Sequence, residues 1–174
     1  MATFTERAMD AIFSVLNDGT TGINAQTLAT IRSDLGITTA ELPDVAQIEQ
    51  WYHRAGQATL FPYMSITIDS TTGELDANSR FYRVVFDLAL VVLDANVAGN
   101  EVQAMVAAWR YGDAIKTIFN RRASPAGGQG WTLGNASGIV RATVTNQIPG
   151  ADTGVVAPNV ALLTSLEVIT SELY

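Results

Sequence analysis

RFYRVVFDLALVVLDA, residues 80–95, sets the architecture of this chain. Side chains alternate along a strand, so Tyr82, Val84, Phe86, Leu88, Leu90 and Val92 share one face, and that face is apolar without a break. The other face carries Phe81, Arg83, Val85, Asp87, Ala89, Val91 and Leu93, a mixed set suited to a surface partly open to water or to a partner chain. A strand over Arg80–Asp94 would span about 50 Å at roughly 3.3 Å per residue, well past the ordinary strand of about five or six residues. Such a strand is the spine of a sheet, and part of its length is expected to need company from another subunit.

The sequence before this strand switches period. Thr3-x-x-Glu6 reads as a capping box, and Phe4, Ala8, Ile12, Val15 and Leu16 follow at helical spacing until Asn17-Asp18-Gly19. A second helix is predicted from Asn24, carrying Leu28, Ile31 and Leu35 to Gly36, and a third from about Pro43 to Arg54, before Gly56. Tyr63–Asp69 then alternates Met64, Ile66 and Ile68 with polar neighbours, and the polar stretch Ser70–Ser79 is expected to be the loop of a long hairpin.

Beyond the turn-like Asn96–Asn100, Glu101–Arg122 is predicted as the longest helix. Ala104, Ala108, Tyr111, Ile115 and Ile118 make a row suited to lying on a sheet, while Val102, Met105, Val106 and Trp109 form a second patch roughly opposite. The N-terminal helices of the same chain or a neighbouring subunit could cover that patch. Two strands close the chain, Ile139–Asn146 and Val160–Glu172, the latter with Val160, Leu162, Leu166 and Val168 on one face; NQIPGADTGVVAPN between them reads as another long hairpin loop. The order predicts an α+β fold: one long helix on an antiparallel or mixed sheet of about four strands, with short N-terminal helices. A single domain is expected over 1–174, with helices in 1–56 and the sheet-and-helix core in 57–174.

Composition narrows the function. The 174 residues are enough to bury about 70% of the unfolded surface without staples. Cysteine is absent, which removes disulfides, thiolate metal sites and cysteine nucleophiles. The net charge of -7 disfavours a non-specific grip on nucleic acid, and charged residues are 16% of the chain against a typical ~25%, which favours contacts with protein. The N-terminal stretch MATFTERAMDAIFSVLND has no basic region followed by an apolar run, and no segment reaches the ~18 apolar residues of a membrane span, so neither secretion signal nor membrane partner is expected.

Enzyme chemistry finds little to use. His53 is the sole histidine, in Trp51-Tyr52-His53, and there is no Gly-x-Ser-x-Gly elbow. The glycine-rich Ala123–Gly138, ASPAGGQGWTLGNASG, lacks the Lys-Ser/Thr ending of a phosphate-binding loop. Glu74 and Asp76 share one strand face if extended, but a solvated hairpin tip is the expected setting. No enzyme, metal site or cofactor is expected.

The short N-terminal helices, the hairpin around Ser70–Ser79, the helix EVQAMVAAWRYGDAIKTIFNRR and the terminal strands GIVRATVTN and NVALLTSLEVITSEL together resemble the tail-terminator or tail-completion proteins of long-tailed bacteriophages. The likeness covers most of 1–174 and lies in length, element order and style of sequence. It implies a structural virion protein of the tail-neck region, assembled in the host cytoplasm. Such proteins form a homo-oligomeric ring, commonly a hexamer, that caps the tail-tube protein and joins it to the neck or head-completion protein. DNA would pass through the lumen without specific binding, which the acidic balance suits. The residues expected to meet a neighbouring subunit or the tube are Glu74 and Asp76 at the hairpin and Val102, Met105, Val106 and Trp109 on the helix. The alternatives are another neck or tail component, such as a head-completion or tail-tube protein, and a soluble small-ligand-binding domain.

Overall fold

A computed structural model describes residues 4–50, 60–76, 79–93, 101–121, 139–152 and 159–171. The long apolar segment is strand β3, Ser79–Leu93, and its neighbours are β2, Tyr63–Asp76, and β5, Asn159–Ser171. Both pair with it antiparallel along nearly its whole length, from Asp76↔Ser79 to Tyr63↔Val91 on one side and from Phe81↔Ser171 to Leu93↔Asn159 on the other. The company that so long a strand needs therefore comes from its own chain, and not from another subunit. β4, Ile139–Asp152, pairs antiparallel with β5 and forms one edge. The other edge is β1, Gln47–Gln50, which lies parallel to the start of β2. The sheet thus has five strands, ordered β1-β2-β3-β5-β4, where about four were expected.

Alternation places Val84, Phe86, Leu88, Leu90 and Val92 of β3 on the buried face, beside Met64 and Ile66 of β2 and Val160, Leu162, Leu166 and Val168 of β5. Burying the five β3 side chains alone contributes on the order of 10 kcal/mol before chain entropy is charged against it. Among the described residues, the helices pack on this face. Helix α3, Glu101–Arg121, crosses β3, β5 and β4. Its sheet-facing row is wider than the predicted one: Ala107, Ala114 and Phe119 join Ala104, Ala108, Tyr111, Ile115 and Ile118 in the core. Small side chains let the helix lie close. At Gly112 an added Cβ would sit 3.2 Å from Leu162 Cδ2 and 3.1 Å from Gln147 Nε2, whose amide donates to the Gly112 carbonyl at 2.8 Å.

Helix α1, Phe4–Leu16, buries Ala8, Met9, Ala11, Ile12, Val15 and Leu16 against the same core; Thr3 of the expected capping box lies outside the described residues. A π-helical stretch, Ile23–Leu28, packs on α3 and runs into α2, Ala29–Leu35. α2 ends as expected at Gly36, in the left-handed region at φ 63°. The Ile37 N–H donates to the Arg32 carbonyl at 3.0 Å and the Gly36 N–H to that of Ser33 at 3.3 Å, the paired bonds of a Schellman ending. Leu28 is buried and Ile31 half-buried, whereas Leu35, assigned to the same apolar row, is 54% exposed.

The helix predicted from Pro43 to Arg54 does not form over its described part. Asn24 bonds both sides of Val45, Nδ2 donating to its carbonyl at 2.9 Å and Oδ1 accepting its N–H at 2.8 Å. The Tyr111 hydroxyl donates to the Pro43 carbonyl at 2.6 Å, and the Ala46 and Gln47 N–H groups donate to the Pro62 carbonyl at 2.8 and 3.4 Å. Arg32 holds the preceding turn through the Leu42 carbonyl at 2.7 Å and Asp44 at 2.5 Å. These partners lie far off in sequence and use the backbone groups that a helix would have used. Residues 42–46 are thereby drawn out and delivered into β1.

Two expected loops are also strand. Pairing of β2 and β3 continues through Glu74↔Phe81 to Asp76↔Ser79, so Ser70–Ser79 is ladder with only residues 77 and 78 between the closing pair. Pairing of β4 and β5 runs through Pro149↔Leu162 to Asp152↔Asn159. An edge strand needs donors on one side only, which is why Pro149 and two bulges are tolerated in β4.

Replacing Asn24 by Ala should cost about 1–3 kcal/mol, since it orphans the half-buried amide and carbonyl of Val45; a lowered urea midpoint at unchanged slope checks this. Ile115→Asp places an unpaired charge against the sheet and should unfold the domain outright, visible as loss of the cooperative melt by circular dichroism.

Candidate interaction surface

Helix α3 is sided as its sequence suggested, with one adjustment. Val102, Val106 and Trp109 are 68%, 41% and 49% exposed, spaced so that all three fall on one outward face. Met105, grouped with them, is instead half-buried and packed against the core. The π-helical stretch abuts α3 without covering the other three side chains. Exposed Asp113 and Lys116 follow the patch toward the C-terminal end of the helix.

This patch is small. Three partly exposed side chains offer on the order of a few hundred Å², the size of the largest apolar patch on many monomers and short of the ~800 Å² per partner in a standard interface. A stable assembly through α3 would need a second contact. The ladder of β2 and β3 runs on from Thr71↔Val84 through Thr72↔Arg83 to Asp76↔Ser79. Glu74 and Asp76, expected in a loop, therefore stand at alternate positions of a paired strand.

The sheet face away from the helices is divided. Near the hairpin it is polar and internally paired: Arg83 meets Glu167 at 2.5 Å, Ser165 Oγ donates to Asp87 Oδ1 at 2.9 Å, and Thr67 Oγ1 donates to the Asp87 carbonyl at 3.3 Å. Toward β1 it closes over. Tyr63, Ser65 and Val91 are buried there, and Phe61, whose peptide to Pro62 is cis, stacks edge-on against Tyr63 at 6.5 Å. The Tyr63 hydroxyl donates to Glu49 Oε2 at 3.3 Å, and Gln47 Nε2 donates to Glu49 Oε1. Gln47 Oε1 is buried without a hydrogen-bond partner.

Sequence reasoning missed this Gln47–Glu49–Tyr63 cluster because it read Gln47–Gln50 as helix. It is ill-suited to proton transfer near neutrality. Burial, reinforced by the Glu49 carboxylate, pushes the Tyr63 phenol up to about 12. Burial likewise holds the Tyr111 phenol well above its usual range. Among the described residues, no three His, Asp or Glu side chains converge as a metal site would require, and no helix is long and apolar enough to cross a membrane. His53, the Asn96–Asn100 link and the Ala123–Gly138 loop lie outside the described residues.

No protein-family model matches this sequence, and no curated protein matches it at a significant level.

Trp109→Glu and Val102→Glu should leave the melting temperature within a few degrees of wild type, because the new charge stays in water, whereas Met105→Glu should lower stability by about 1–3 kcal/mol. A Trp109→Glu chain that melts as early as Met105→Glu would show the patch to be core. The two phenols set an alkaline limit. Unfolded tyrosine ionises near pH 10, while the folded chain holds both protons to higher pH, so stability is complete below pH ~10 and falls as pH rises through ~12. Urea midpoints between pH 9 and 11.5 should fall less steeply for Tyr63→Phe with Tyr111→Phe than for wild type.

Proposed function

We propose that this chain is a structural virion protein, a tail terminator whose copies form a ring on the end of a phage tail tube and join it to the neck. The observation that carries the reading is the one-sided architecture. Among the described residues the helices pack on one face of a long-stranded sheet, and α3 keeps Val102, Val106 and Trp109 outward. The hairpin rungs past Thr71↔Val84 add a second region for contact. Sparse surface charge favours subunit packing, and the net charge of -7 suits a passage through which DNA slides without sticking. In this reading the ring is commonly of six subunits, its partners are the tail-tube protein and a neck or head-completion protein, and the chain performs no catalysis.

A tail-tube protein is the second reading, and the five-stranded sheet with its long antiparallel ladders favours it more than the sequence did. The two differ in how assembly ends. A terminator closes one ring and stops; a tube protein stacks ring on ring.

Native mass spectrometry and negative-stain imaging of concentrated protein should show closed rings of one subunit number and no extended tubes. Trp109→Glu should remain folded and fail to form them, since interface energy concentrates in large aromatic anchors. Indefinite tubes would select the second reading. A chain that stays monomeric at every concentration and on exposure to isolated tail tubes would rule out both.

A further inference from the structure

We propose that copies of this chain join front to back, with Trp109 on the outer stripe of α3 in one copy seated against Ile148 and Leu163 on the far face of the sheet in the next. This joint rests on the ring reading above and specifies how neighbours in the ring meet.

One side chain of β4 fixes the far face. Gln147 Nε2 donates to the Gly112 carbonyl of α3 at 2.8 Å, so Gln147 faces the helix and its neighbour Ile148 faces away. Ile148 pairs with Leu163 and Leu163 with Ala89, while Gly150 pairs with Ala161. The residues that alternate with these, Leu88, Leu90, Leu162 and Thr164, are fully buried in the opposite direction. Ile148 is 52% exposed on the far face, and Leu163, Ala161 and Ala89 are half-buried there. An added Cβ at Gly150 would meet no described atom within 4 Å. Two branched apolar side chains thus border a low area left by alanine and glycine, a shape that suits the edge of an indole ring.

Two exposed apolar surfaces on opposite sides of one chain select the occupant. A two-fold pair through α3 would cover Val102, Val106 and Trp109 and leave Ile148 in water in both copies, and a two-fold pair through the far face would do the reverse. Front-to-back contact covers one surface of each kind at every joint, and a repeated heterologous joint closes a ring when its rotation allows. Charge permits the contact. Asp87 and Glu167 of the far face already hold Ser165 and Arg83, and beyond Trp109 the α3 stripe balances Asp113 with Lys116, so the surfaces meet without a run of like charge. Each joint is smaller than the ~800 Å² per partner of a standard interface. A single pair is therefore weak, and closure, which makes the last contact intramolecular, supplies the stability.

The chain has no cysteine, so single thiols can mark each surface without background. Val106→Cys marks the helix stripe and keeps Trp109; Asn146→Cys, opposite Ser165 on the far face, keeps Ile148. With a short bis-maleimide, at concentrations where wild type forms rings, a mixture of the two variants should give linked pairs and neither variant alone should. A chain carrying both should give a ladder ending at the subunit number of the ring. Leu35→Cys, on an exposed side chain elsewhere, should replace Val106→Cys with at least a tenfold loss of linkage. Trp109→Glu added to the first variant, or Ile148→Glu added to the second, should lower the yield at least tenfold at an unchanged melting temperature; the two changes lie on different elements, so a folding defect in one leaves the other to decide. Undiminished linkage in the Glu variants would overturn the proposal, and so would Val106→Cys linking to itself, which would mark a two-fold pair through α3. Rings that form without mixed linkage would overturn this joint and leave the ring standing, whereas a chain that stays monomeric at every concentration and on isolated tail tubes would overturn both.

Discussion

The contact between the apolar face of β3 and the small-residue row of α3 is the constraint on which the rest of the structure depends. A fifteen-residue strand must satisfy backbone groups on two edges and cover one hydrophobic face. β2 and β5 meet the first demand over almost the full length, and α3 meets the second. Ala104, Ala107, Ala108 and Ala114 bring the helix axis close, Gly112 closer still, and the large side chains of Tyr111, Ile115, Ile118 and Phe119 fill what remains. Once α3 is seated, the π-helical stretch has a surface to pack on. Tyr111 can then reach the Pro43 carbonyl, and the segment leading to β1 is pulled straight. The fifth strand is thus a downstream consequence of where α3 lies.

The same arrangement creates the exposed features. Helices on one face only leave an opposite face that must solve its own polar bookkeeping, and it does so in two ways. Near the hairpin, Arg83, Asp87, Ser165 and Glu167 pair with one another in partial contact with water. Near β1, burial of Tyr63 and Ser65 draws Glu49 and Gln47 into a tied cluster. A surface ion pair such as Arg83–Glu167 contributes little to stability; its use here is to keep a broad sheet face soluble. Among the described residues, three of the exposed large apolar side chains, Val102, Val106 and Trp109, gather on the outer face of α3.

Much of the scaffold was legible from residues alone because its signals are local. The unbroken alternation of Val84 to Val92, the helical spacing of Ala8 to Leu16, the rows of α3 and the glycine at the end of α2 each state their conformation within a few turns or rungs. The errors share one cause, which is that backbone hydrogen bonding can be settled at a distance. Pro43–Gln50 has a helix-like opening, yet Asn24, Tyr111 and Pro62 claim its backbone groups. Ser70–Asp76 and Asn146–Asp152 look like loops by composition, yet each lies beside a strand long enough to extend the ladder over polar or proline-bearing sequence.

For the candidate surface the division is similar. Periodicity was enough to put Val102, Val106 and Trp109 on a face distinct from the sheet-facing row, since 100° per residue is a property of any helix. Whether that face would be covered, and that Met105 would turn inward, depended on where the π-helical stretch came to rest against α3. The residues of the hairpin were identifiable as polar and acidic, but their pairing was not. That pairing carries a bulge at Asp69, which reverses the alternation between Ile68 and Ser70. Side-chain chemistry is carried by each residue wherever it lies, whereas the partner of a backbone group is set only when distant segments have packed.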